Sequence, residues 1–189
     1  MTEQERPPEK EPSVALAELE KPPGNAGHLF ATVFFGDGFR FNNPYRLHTQ
    51  LGVSAQNVSV TAPYVDFGIA AAIGRTFGLQ HGAALNLTVA LGGVSQAVLA
   101  PSYIAMYRGD STRVFAFGRF GPAIILSPDA NFGAELGVGG AALVTAKLGV
   151  TAEVVGDLFY GAATREAGYP VYPIVSLQVG LLFDHEVLP

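Results

Sequence analysis

The feature that most limits what this chain can become is an alternation of period two, sustained over whole segments. Val65, Phe67, Ile69, Ala71 and Ile73 alternate with Asp66, Gly68, Ala70, Ala72 and Gly74. Ala83, Leu85, Leu87, Val89 and Leu91 alternate in the same way with Ala84, Asn86, Thr88, Ala90 and Gly92. The code returns in Phe132, Ala134, Leu136 and Val138 against Gly133, Glu135, Gly137 and Gly139, then in Leu148, Val150, Ala152 and Val154 against Gly149, Thr151, Glu153 and Val155. Val171, Pro173, Val175, Leu177, Val179, Leu181 and Phe183, set against Tyr172, Ile174, Ser176, Gln178 and Gly180, close the series. Successive side chains of a strand point to opposite faces, so each segment has one greasy face and one small or polar face.

Such a strand can bury its greasy face inside a soluble barrel or turn it outward into lipid. Composition favours lipid: 49% of the 189 residues are hydrophobic and only 14% charged, against about 25% charged in soluble domains. No apolar run approaches the ~20 residues of a membrane-spanning helix. The 23 glycines and 13 prolines punctuate the chain and favour short strands joined by turns. An open sheet edge in hydrocarbon would leave backbone groups unpaired, so the sheet must close. The expected fold is all-β, a closed antiparallel transmembrane β-barrel of eight strands, with ten as the alternative.

The strand candidates are 28–36, 45–56, 63–77, 82–95, 98–108, 112–126, 131–144, 148–160 and 171–183, with a turn at Gly78-Leu79-Gln80-His81 and a tight connection at Thr145-Ala146-Lys147. Single-chain bacterial barrels carry even strand numbers, so two candidates merge, one is not a membrane strand, or a tenth is hidden. Residues 28–189 form the barrel domain. Residues 1–27, with six glutamates, three basic residues and five prolines, form a disordered acidic tail, too poor in apolar groups to offset the entropy of ordering. Within it Ser13 to Lys21 has a Ser cap and helix-forming residues; a frayed surface helix is the preferred reading and a plug in the lumen the sharper one.

Several chemistries are set aside. There is no cysteine, hence no disulfide, thiolate site or thiol nucleophile. A net charge of −5 and a single lysine after His28, Lys147, leave no footprint for nucleic acid. His28, His48, His81 and His185 show no metal-ligand spacing. No Gly-x-Ser-x-Gly is present. Gly137-Val138-Gly139-Gly140 is not followed by a lysine-bearing helix, so close strand packing explains it better than a phosphate loop. No catalytic residue, cofactor or metal is expected. The opening Met1-Thr2-Glu3-Gln4-Glu5-Arg6 is no secretory signal. The chain is therefore read as a mature or recombinant form with an added methionine, or as one whose start is mis-assigned.

Asp129 to Gly140, followed by Leu148-Gly149-Val150-Thr151-Ala152-Glu153-Val154, resembles the closing hairpins of small Gram-negative outer-membrane barrels, and Val175 to Phe183 resembles their last strand. The chain is similar in particular to uncharacterised myxobacterial barrels, which share a segment like Asn42-Asn43-Pro44-Tyr45. The resemblance spans about residues 28–189 and implies a fold, not a chemistry. It places the chain in the outer membrane with lipid as its partner. Its terminal aromatic would be Phe183, here followed by Asp184-His185-Glu186-Val187-Leu188-Pro189. Tyr64, Tyr103, Tyr107, Tyr160 and Phe183 stand near strand ends, where aromatic girdles form.

One constellation singles itself out. Arg113 and Arg119 share a face of the sixth candidate strand, Glu135 lies on the polar face of the next, and Glu153 and Asp157 on that of the one after. Opposite charges on neighbouring strands, all facing one low-dielectric interior, imply a paired network. The preferred reading is that it fills and fixes a narrow lumen; the functional reading is a polar, gated conduit. Arg46, His48, Gln50 and Asp66 are candidates for the same interior. The expected function is a structural or surface-interaction component, monomeric and without enzymatic activity, with loop 161–170 meeting any protein partner. The alternatives are a narrow channel for small solutes and a soluble lipocalin-like carrier of an apolar ligand.

Overall fold

The computed structural model describes residues 24–41, 58–93, 95–109, 113–128, 130–160 and 171–188. The expected strand 45–56, the segments 1–23 and 161–170, and Arg46, His48 and Gln50 lie outside them. The strands are β1 (Asn25–Phe41), β2 (Val58–Val60), β3 (Tyr64–Arg75), β4 (Gly78–Ala90), β5 (Ala97–Arg108), β6 (Val114–Ser127), β7 (Asn131–Leu143), β8 (Leu148–Tyr160) and β9 (Val171–Leu188). Each long strand pairs antiparallel with its successor, and β1 pairs with β9 from Gly27↔Leu188 to Arg40↔Ile174, which closes the sheet.

Nine segments make eight staves. β2 and β3 lie along the same edge of β1, paired as Phe39↔Val60 and Gly36↔Tyr64, so three residues of one stave face two of the other. The interruption falls at Pro63, which has no N–H to give the ladder. Thr61 repairs it: its backbone N–H donates to the Gly38 carbonyl, and its hydroxyl accepts from the Gly38 N–H at 2.8 Å. The barrel is thus closed, antiparallel and eight-stranded.

Two boundaries differ from expectation. The turn between β3 and β4 is Thr76-Phe77, and β4 already begins at Gly78, whose φ is +114°. Gln80 points inward between the outward Leu79 and His81, so 78–81 continues the alternation that a glycine had suggested it would break. The last strand runs beyond Phe183 to Leu188, carrying Asp184 into the interior. At the other end β1 begins at Asn25, three positions before the expected domain start.

The greasy face looks outward. Ile69, Phe120 and Leu181 are 60–67% exposed, while the alternate positions Asp66, Arg119 and Gln178 are at most 5% exposed. Such a band is stable only against hydrocarbon. A soluble carrier of apolar ligands has the opposite arrangement, so that alternative is overturned. Inside, an apolar layer joins Phe30, Ile104, Met106, Phe115 and Leu182 with Ala72, Ala84 and Ala141. Small residues face large ones because the bore of eight strands holds little more than its own side chains. Phe159, Tyr172, Ile125 and Ala123 form a second apolar cluster. Asn25, Leu188, the turns 76–77 and 144–147, and the ends of β5 and β6 at Arg108 and Val114 gather at one rim, the terminal rim; the other is the loop rim.

Candidate functional site

Between the two apolar layers sits the charge network. Arg119 of β6 donates from Nε to Glu153 Oε1 of β8 at 2.6 Å and from Nη1 to Glu135 Oε1 of β7. Gln178 of β9 donates from Nε2 to the other oxygen of Glu153 at 2.7 Å. All four side chains are buried. Alternation on four neighbouring strands brings them to one side of the lumen, and pairing offsets the cost of desolvating each charge.

Room for this contact comes from a glycine. Arg119 stands opposite Gly137 in the β6–β7 ladder, and a Cβ on Gly137 would collide with Glu153 Oε1 and come within 3.0 Å of Arg119 Nε. Gly139 has a different reason: its Cβ would meet the Ala152 carbonyl and the Phe117 ring. Of the Gly-rich run, then, one residue admits an ion pair and another admits strand packing.

Two expected members of the network sit elsewhere. Arg113 precedes β6 at the terminal rim, where it is exposed, about 20 Å along the strand from Arg119 at the usual rise. Its face parity is right, but it lies beyond the strand. Asp157 lies in the interior, directly opposite Glu135 in the β7–β8 ladder. The juxtaposition is of like charges, not of complementary ones. Asp66 is inward and buried, accepting from Asn86 Nδ2 and Thr88 Oγ1, each at 2.6 Å.

A second polar cluster escaped sequence reasoning. Asp184 of β9 takes the Arg108 Nη2 donor on Oδ2 at 2.6 Å and meets His28 Nδ1 through Oδ1 at 2.8 Å, all three buried toward the terminal rim. Asp184 has the parity of Ser176 and Gln178, so extending the alternation past Phe183 would have found it. His81 lies on the outer wall against Tyr103, with ring centroids 5.9 Å apart, and His185 is exposed; His48 is outside the described residues. Tyr64 belongs to the lumen and not to a girdle: its ring occupies the space left by Gly36. Tyr103, Tyr107 and Phe183 do face outward.

Toward the loop rim, above Arg119 and Glu135, opens a cavity of about 330 Å³. Arg40, Tyr64, Asp157 and Tyr172 are on its wall, and the Arg40 guanidinium lies 4.1 Å from the centre of the Tyr172 ring. Below Arg119, Phe30, Phe34, Met106 and Phe115 line a small cavity of about 40 Å³. The polar upper chamber is therefore separated from the terminal rim by a packed apolar layer.

No family model and no curated protein sequence matches the chain. Solved structures do. The attachment invasion locus protein Ail of Yersinia pestis superposes with a TM-score of 0.55 at 7% identity, over 84% of this chain and 99% of that one. Neisserial surface protein A superposes with a TM-score of 0.50 at 11% identity, over 85% of this chain and 98% of that one. At these identities the likeness is one of fold: the chain has the architecture of small Gram-negative outer-membrane barrels.

Proposed function

We propose that this protein is a monomeric structural or surface-interaction component of an outer membrane, without enzymatic activity. The observation that carries the reading is the combination of a lipid-facing outer wall with a lumen filled across its middle. The outer wall supplies membrane residence, because some thirty apolar side chains can be solvated only by acyl chains. The filled lumen argues against the narrow channel: Phe30, Ile104, Met106, Phe115 and Leu182 pack where a conduit would need water. The narrower kinship with myxobacterial barrels rests on the sequence resemblance alone, with Asn42-Asn43-Pro44-Tyr45 as the shared segment.

In this reading the loop rim meets the partners, through residues 161–170 and the other connections at that end, since surface loops on a rigid scaffold are where contacts are made. Planar-bilayer recordings of the refolded protein test it. Silent membranes at protein densities that give a signal with a known pore are expected. Reproducible single-channel steps would replace the scaffold reading with the channel.

A further inference from the structure

We propose that the chamber above Arg119 is a binding site for a small organic cation, a primary ammonium on a short apolar body. The wall is uneven in charge. Three carboxylates, Asp66, Glu135 and Asp157, line it against two guanidiniums, Arg40 and Arg119, and Arg119 is shared with a fourth carboxylate, Glu153, from below. Of the two cations, Arg119 has Glu135 and Glu153, while Arg40 lies over the Tyr172 ring with its Nε buried and, among the described residues, without a hydrogen-bond partner. Asp66 has two donors of its own. Asp157 is the carboxylate with no cation of its own: its Oδ1 is buried and, among the described residues, has no hydrogen-bond partner, and its ladder neighbour is a second carboxylate, Glu135.

A buried acceptor beside a second carboxylate calls for a donor that also carries positive charge. An ammonium fits, since it donates three hydrogen bonds from one point. Val98, Phe159 and Ile174 supply an apolar flank beside that acceptor for a hydrocarbon body. The volume is at the lower end of the range of small-molecule sites, which limits the occupant to a few carbon atoms or a single ring. The site is independent of the scaffold reading, because it needs neither conduction nor a protein partner.

Isothermal titration calorimetry on the full chain in octylglucoside micelles tests the proposal, with benzylammonium, benzyl alcohol and benzoate as probes. The non-ionic detergent keeps competing headgroup cations out of the chamber. Benzylammonium is expected to bind at least about tenfold more tightly than benzyl alcohol, as charge-assisted hydrogen bonds allow, and more tightly than benzoate. Asp157→Asn, which keeps the shape and removes the charge, is expected to abolish that preference. The folded state of the variant is read from its heat-modifiable gel shift; if it does not fold, the comparison of the three probes on the unaltered chain still decides. Equal binding of benzylammonium and benzyl alcohol would overturn the proposal. No heat with benzylammonium would overturn it too, and would mean that a proton shared between Glu135 and Asp157 satisfies the pair. Unchanged preference in a folded Asp157→Asn variant would overturn the assignment of that residue.

Discussion

Arg119 is bound by two carboxylates, and that number sets what its removal does. Arg119→Leu leaves Glu135 and Glu153 buried without their cation, and a loss of roughly 3–5 kcal/mol is expected in the fully buried limit. Adding Glu135→Leu should recover only part of it, because Glu153 remains. Urea unfolding from lipid vesicles for the single and double variants gives the coupling; additive losses would mean that Arg119 and Glu135 do not act as a pair. Gly137 makes the same point from the other side. Gly137→Ala pushes a methyl group against Glu153 Oε1, so a loss of about 1–3 kcal/mol is expected, the usual range for overpacking. In the background Arg119→Leu with Glu153→Leu that loss should change, since the contact it disturbs is gone. An unchanged cost in both backgrounds would show that Gly137 serves the backbone and not the ion pair.

At the scale of elements, the seam between β1 and β9 is the pairing that turns a sheet into a barrel. Gly180 lies on it, and a side chain there would strike the Val33 carbonyl and approach the Cα of Phe34 at 2.8 Å, both backbone atoms that cannot swing away. Gly180→Ala is therefore expected to lower stability by about 1–3 kcal/mol. Gly156→Ala, whose Cβ meets nothing nearer than the Leu136 carbonyl at 3.9 Å, should be near neutral. Equal costs in the same vesicle assay would remove the seam from the explanation. The elements were largely legible. All eight long strands overlap expected ones, β3 within 63–77 included, because lipid on one side and a narrow lumen on the other enforce period two along each strand. The short β2 that extends the β3 stave was not legible, because Pro63 breaks the ladder and three residues there oppose two.

For the molecule as a whole, the ladders close without the acidic opening segment: β1 is paired on both edges from its first residues, with Asn25 on Arg75 and Gly27 on Leu188. Deletion of residues 1–23 is expected to leave the heat-modifiable gel shift and the urea midpoint unchanged. Loss of the folded band would assign that segment a place in the barrel, as a plug formed by Ser13 to Lys21 would require.

The sequence by itself determined the class of fold and the direction of its faces. Alternating apolar positions with almost no charge admit only one solvent for the greasy side, and that solvent in turn demands closure. It also put Arg119, Glu135 and Glu153 on inward faces of consecutive strands, since parity alone carries that information. Only the tertiary structure decided which of those inward groups meet, because contact depends on register around the barrel as well as on parity. Register set Asp157 against Glu135 instead of against a cation, left Arg113 at the rim, and carried Asp184 inward to Arg108 and His28 from strands far apart in the chain. The chamber above Arg119 and the apolar layer beneath it arise in the same way, from side chains of many staves stacked at one level, a quantity no single strand contains.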